Sequence, residues 1–296
     1  MPNPQTLLDP AFLKKLEALS LASRRILAGQ TKGERRSHKR GSSIEFADFR
    51  EYALGDDLRY VDWKAYGRLE KLFLKLFVEE EDLSIHLLVD TSQSMNFGSP
   101  LTKADYARRL AAALGYVALS EYDRVLLASL GEGLGERLPP LRGKPGIFPF
   151  FNYLETKLPT GGGTRLGEAL SQYANRAKGG GIAVVISDFF DETHVKGIQA
   201  LLSRRFQVVL LHVLDPEELA PTLTGDLRLL DSETGAAREV SLSPALLAQY
   251  NASLKQFCDG LQAMANRYGM DYVRSSTAMP FEDVVLKSLR GGGLVR

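Results

Sequence analysis

From residue 83 onward, short apolar runs alternate with longer helical patterns, and no other feature of the chain constrains its fold as much. Residues 85–89, 125–130, 182–186 and 208–214 are mostly aliphatic runs, the texture of strands buried on both faces. Between and after them, residues 102–120, 164–178, 193–205, 243–268 and 280–290 place apolar side chains at helical spacing. The alternation predicts an α/β fold, a doubly wound, mostly parallel sheet covered by helices on both faces. Residues 227–230 and 238–240, on either side of a polar turn, predict a β-hairpin inserted at about residues 222–242.

The part before residue 81 reads differently. Phe12, Leu16 and Leu19 lie at helical spacing and predict an amphipathic helix over residues 10–28, so residues 1–43 form an N-terminal helix and a flexible basic loop. Residues 44–80 are expected to be a separate segment packing on the sheet domain, which spans 81–290. Within it, residues 71–78 alternate in strand fashion and read as a strand leading into the sheet. The tail, 291–296, carries three glycines and is expected to be disordered.

Charge is balanced overall, with 37 basic and 36 acidic side chains, which argues against a general binder of nucleic acid or anionic lipid. Locally it is not. Residues 14–40 hold nine Lys and Arg against Glu17 and Glu34. The run 32–40 has no interleaved aromatic on which a base could stack, so it reads first as a solvated face. The single cysteine, Cys258, excludes an internal disulfide and a cysteine-rich zinc site, and its spacing with Leu254 and Leu261 places it in the core. No apolar run approaches the roughly 18 residues a membrane span needs, and the N-terminus does not read as a signal peptide, so a cytoplasmic protein is the expectation.

The chemistry is concentrated where the first buried strand ends, at Asp90-Thr91-Ser92-Gln93-Ser94. In doubly wound sheets ligands bind at the carboxyl ends of strands. Gly161-Gly162-Gly163-Thr164 delivers a hydroxyl before a helix, and Ser187-Asp188 ends a later strand. Asp90, Ser92, Ser94, Thr164 and Asp188 together offer only oxygen donors, two of them anionic. That set suits a hard cation, Mg²⁺ or in the same site Ca²⁺ or Mn²⁺, and suits zinc poorly because no His or Cys joins it. With no general base beside it, such a site binds and does not react; an acidic group of another protein would complete the coordination. Taken singly, Thr164 and Asp188 could equally cap the helices that follow them. His86 and His212 fall inside buried strands and read as packed, hydrogen-bonded residues, while His38 and His194 read as solvent-facing.

Asp-x-Ser-x-Ser at a strand end, a Thr in a Gly-rich loop and an Asp at a later strand end resemble the metal-ion-dependent adhesion site of von Willebrand factor type A domains. A second block, Arg50-Glu51-Tyr52, Gly55-Asp56-Asp57, Arg59 and Asp62-Trp63, followed by residues 90–95, resembles the bacterial family known as domain of unknown function 58. The resemblance covers about residues 35–290. Leu54 departs from it, since the family often has Pro there, and the N-terminal membrane helices of many members are missing. It implies a metal-dependent, noncatalytic interaction module, an adaptor of a MoxR-type AAA+ ATPase in the assembly or activation of other complexes. Arg50, Asp56, Asp57, Arg59, Asp62 and Trp63 have two readings, an internal ion-pair network anchored by a buried Trp63 or an exposed partner surface. The rival function is a Mg²⁺-dependent phosphoryl-transfer enzyme with Asp90 as nucleophile, against which stands Ser92, a poor general acid at the position where such phosphatases carry a carboxylate. No Gly-x-Ser-x-Gly elbow or phosphate-binding P-loop is present.

Overall fold

Six strands make the central sheet: β3 (Ser84–Asp90), β4 (Arg124–Leu130), β5 (Leu134–Arg142), β6 (Gly181–Ser187), β7 (Phe206–Leu214) and β10 (Asp271–Ser276). They lie side by side in the order β10-β7-β6-β3-β4-β5, parallel throughout except for β5, which runs antiparallel to β4. The chain therefore builds outward from β3 to one edge, returns to β6, and builds to the other edge. Between β3 and β6 the direction of winding reverses, and the crevice beyond their carboxyl ends is where a doubly wound sheet binds ligands. The computed structural model describes residues 7, 9–30, 45–53, 56, 58, 61–78, 84–158, 161–163, 165–178, 180–222, 225–230 and 237–290.

Both sheet faces are buried. Ile85, Leu87 and Val89 of β3 point into one cluster with α3 (Lys103–Ser120), α4 (Ile147–Thr156) and α9 (Phe281–Arg290). Leu88 points into the other, with α5 (Leu166–Arg176), α6 (His194–Ser203) and part of α8 (Pro244–Tyr268). This two-faced burial is why the central strands are mostly apolar and lack a regular polar alternation. The helices begin where the chain signals them. Thr102 caps α3 by accepting from Asp105 N (3.1 Å), and Ser243 caps α8, with Pro244 at its first position. α8 ends on Gly269 in the left-handed conformation.

Several elements go beyond the sequence reading, β5, β10 and α4 among them. β5 contains Pro139 and Pro140, which hide a strand from pattern reading but are tolerated on an edge strand where its register with β4 shifts, between the pairs Leu127–Leu138 and Val125–Leu141. β10 is a short, polar strand at the opposite edge. In α4, Pro149 lies in the first turn, where proline fits a helix. The expected hairpin is present as β8 (Gly225–Leu230) and β9 (Ala237–Leu242), with α7 (Pro216–Leu219) just before it.

The chain divides into two compact units, Met1–Gln30 with Leu83–Arg296, and Thr31–Asp82. The first helix, α1 (Pro10–Gln30), belongs to the sheet unit: Phe12, Leu16 and Leu19 are buried in the same core as α3 and α9. Phe12 meets the Phe281 ring at 5.1 Å between centroids, and Lys15 pairs with Glu282 at 2.8 Å. In the smaller unit, β1 (Glu45–Glu51) pairs antiparallel with β2 (Phe73–Val78), and α2 (Trp63–Leu69) lies between them in sequence. Thus β2 is a strand, as its alternation predicts, but it pairs with β1 in a sheet of two and not with the six-stranded sheet.

Asp62 caps α2, its Oδ1 accepting from Lys64 N (2.9 Å) and Ala65 N (3.1 Å), and Asp56 Oδ2 accepts from Ala53 N (2.8 Å). Trp63, 59% exposed, opens a short helix whose Tyr66 and Leu69 are exposed as well. Arg50 lies on β1. The Arg50 side chain, Asp57, Arg59 and the basic run 32–40 with His38 lie outside the described residues, as does the tail 291–296.

Candidate metal centre

Strand β3 ends by delivering Asp90 to the crevice, and β6 ends one strand over with Ser187 followed by Asp188. After Asp90 the backbone leaves the sheet through Thr91 and Ser92, then tightens into a 3₁₀ turn over Gln93–Asn96. The turn is fastened in place. Asp90 Oδ1 accepts from Ser92 N (2.9 Å), and the Ser92 and Ser94 hydroxyls are within hydrogen-bond distance of each other (3.1 Å). Ser94 is half-buried, and Asp90, Ser92 and Asp188 are buried. The glycine loop docks on the same turn: Gly161 N donates to Thr91 O and Gln93 N donates to Gly162 O, both at 3.0 Å. Gly161 and Gly162 have φ of +91° and +116°, a region that favours glycine, and a Cβ on Gly161 would press on Gln93 Oε1. Thr164, the next but one residue, lies outside the described residues.

Of the five expected ligands, Asp90, Ser92, Ser94 and Asp188 thus stand at one end of the two strands that flank the reversal. Capping explains neither acid. Asp188 Oδ1 accepts from Phe190 N (3.3 Å), while helix α6 has Thr193 at its N-cap with no side-chain cap bond.

Three neighbours were not legible as site residues. Ser187 Oγ donates to Asp90 Oδ2 at 2.5 Å. Lys103, wholly buried at the first position of α3, donates to Asp188 Oδ2 (2.7 Å) and to Glu218 Oε1 (2.5 Å). Glu218 is the third residue of α7, where its Oε2 also accepts from Asp215 N (2.8 Å) in a capping box. The sequence does carry the signal for that box in Asp215-Pro216-Glu217-Glu218, but nothing local links it to Lys103.

Burial, reinforced by the negative charge of Asp188, pushes the Asp90 carboxyl up to about 6, although the Ser187 and Ser92 hydrogen bonds favour its ionised form. Burial works to discharge the Lys103 ammonium, yet the pull of Asp188 and Glu218 outweighs it and holds the amine charged, above the ordinary lysine value. His86 is a packed core residue away from this set, whereas His212, equally buried, stands on β7 opposite Ser187 and reaches the Asp188 backbone. Burial lowers each to about 4, and their Nδ1 atoms meet the hydroxyls of Tyr173 (2.6 Å) and Tyr272 (2.8 Å). His194 is half-buried, its Nδ1 2.6 Å from Asp191 O. Cys258 is buried, as its spacing predicts.

A hard cation fits the chemistry of this donor set. Asp90 is an acid that burial and a like charge press to take up a proton, the situation a divalent ion relieves, and two hydroxyls stand on the same turn. Among the described residues no group of three His, Cys, Asp or Glu forms, so an ion here would rest on two carboxylates, hydroxyls and water, which suits Mg²⁺.

The model of the family described as "Protein of unknown function DUF58" matches residues 48–257. The chain belongs to that family. Among curated relatives, this DUF58 chain is 28% identical over 241 residues to "Uncharacterized protein Rv1480" of Mycobacterium tuberculosis, across 80% of this chain and 76% of that one. Solved structures similar to it include the conserved hypothetical protein BatB from Bacteroides thetaiotaomicron, at 18% identity and a TM-score of 0.43, covering 70% of this chain and 97% of BatB. A von Willebrand factor type A structure from Catenulispora acidiphila aligns at 14% identity and a TM-score of 0.41, over 75% of this chain and 43% of that one. No helix among the described residues of the DUF58 chain is long and apolar enough to cross a membrane.

Proposed function

We propose that this protein is a noncatalytic interaction module in which Asp90, Ser92, Ser94, Thr164 and Asp188 hold a divalent cation, with Mg²⁺ the best match. The observation that carries the reading is the pairing of two buried carboxylates, from the ends of the two strands at the winding reversal, with a hydroxyl-bearing turn. When bound, the ion would supply a Lewis-acidic centre that a carboxylate of a partner protein can grip. The chain's own part is to fix the turn, through Asp90 and the glycine loop, and to frame the crevice with apolar surface. Phe97 and Phe190, each more than two-fifths exposed, provide that frame.

The partner class we propose is the one the family resemblance implies, a MoxR-type AAA+ ATPase, with this chain as its adaptor in assembling or activating other complexes in the cytoplasm. The exposed Trp63, Tyr66 and Leu69 on α2 support the partner-surface reading of the second sequence block. Phosphoryl transfer by Asp90 is the weaker reading, because both carboxylate oxygens are engaged and Ser92 stands where a general acid is needed.

Two measurements test this. Calorimetric titration with Mg²⁺ or Mn²⁺ is expected to show binding to the wild-type chain and at least roughly tenfold weaker binding to Asp90→Asn. Capture of the ATPase is expected to disappear on chelation. Capture unaffected by chelator and by Asp90→Asn and Thr164→Ala would refute a metal-bridged interface, and Mg²⁺-dependent phosphatase turnover lost in Asp90→Asn would install the enzyme reading instead.

A further inference from the structure

Lys103 is an unusual residue for its place. It opens α3, where the aligned peptide dipoles of a helix disfavour a cation, and its side chain is shut away from water. The rings of Phe97 and Phe190 lie 6.0 and 5.3 Å from its Nζ, so even the outer approach to the ammonium is lined by aromatic surface. What offsets these costs is the pair of carboxylates, Asp188 and Glu218. Glu218 is the firmly held one, fixed from behind by the Asp215 amide. Asp215 is in turn tied by Thr277 Oγ1 at 3.0 Å. The loop leading to Lys103 is fitted against the same group: Gly98 has φ +117°, and a Cβ there would run into the Asp215 carboxylate.

The acidic groups around the crevice are the buried Asp90, Asp188 and Asp215 and the partly buried Glu218, set against the buried ammonium of Lys103. Fully ionised, they leave a net negative charge that a divalent ion would offset. Asp188, one of the two carboxylates a metal would draw on, is the acid whose Oδ2 Lys103 holds.

We infer that Lys103 and Glu218 are positioning residues that set how tightly the Asp90 crevice holds a divalent cation. Lys103 is a resident counter-charge competing for Asp188, and Glu218 is the second anchor that keeps the ammonium when Asp188 is released. The inference rests on the metal reading given above. It predicts effects of opposite sign from two buried changes, which a purely structural role would not produce. Lys103→Met deepens the negative excess by one and frees Asp188. Glu218→Gln reduces it by one and leaves Asp188 to hold Lys103.

Titration of the full chain with Mn²⁺, followed by calorimetry, decides the matter. Lys103→Met is expected to tighten binding and Glu218→Gln to weaken it, each by roughly tenfold or more, the effect of a unit charge within about 6 Å. Lys103→Arg, which keeps the charge, is expected to stay near the wild-type affinity. If the wild-type chain binds no Mn²⁺, the metal reading itself falls. If it binds and Glu218→Gln is unshifted or tighter, only the present inference is overturned. Should Lys103→Met not fold, Glu218→Gln and Lys103→Arg still decide: weakened and unchanged affinity respectively support the assignment, and any other pair of results overturns it.

Discussion

Single residues of the core make this protein sensitive to acid. His86 sits in β3 with its ring edge-on to Phe206 and its Nδ1 against the Tyr173 hydroxyl, and burial lowers it to about 4. Above pH 6.5 it is neutral in both folded and unfolded chains, and its burial carries no protonation penalty. As pH falls from 6.5 toward 4, the unfolded chain takes up a proton that the folded one refuses, so stability drops by about 3 kcal/mol across that window. Urea unfolding from pH 7 to pH 4.5 is expected to show the decline and His86→Gln to lessen it; His212 adds to the decline, and Asp90, which takes up its proton first in the folded chain, opposes it. Trp63 is the opposite case. Being exposed, its replacement by Ala is expected to change unfolding free energy by less than about 0.5 kcal/mol, measured by the urea midpoint; a loss of several times that would return it to a core.

Elements meet closely where glycine lets them. Gly167 of α5 and Gly197 of α6 lie against one another: a Cβ on Gly197 would be 2.9 Å from Gly167 Cα, and one on Gly167 would collide with the backbone of Thr193. Gly197→Val is therefore expected to destabilise the protein by about 1–3 kcal/mol, read as a lower midpoint with an unchanged denaturant slope. No pattern in the sequence reveals this contact, because a small residue in a helix looks the same whether or not another helix presses on it. The strands of the sheet centre were legible for the converse reason. Burial on both faces forces every position of β3, β6 and β7 toward the apolar, whereas the edge strands β5 and β10 are free to carry Pro139, Pro140 and Arg274, and so do not look like strands. The candidate site divides along the same line. Asp90, Ser92, Ser94 and Asp188 were readable because strand ends are predictable from the runs before them. Lys103 and Glu218 were not, since their partnership spans the fold and each looks locally like a surface charge near a helix start.

At the scale of the molecule, the sheet unit is discontinuous: it takes in α1, gives way to Thr31–Asp82, and resumes at Leu83. If α1 were an ornament, trimming its apolar face would cost little. Leu16 is fully buried with Phe281, Val284 and Val285 in the same core, so Leu16→Ala is expected to cost about 2–5 kcal/mol, and the whole sheet unit is expected to melt earlier in differential scanning calorimetry. An unchanged melting profile would mean that α1 docks only loosely. Because α1 lies against α9 as well as α3, its seat is complete only once that far later helix has been made. Until then the part of its apolar face that Phe281 covers, Phe12 above all, stays open, a handle for any holdase that binds greasy helices.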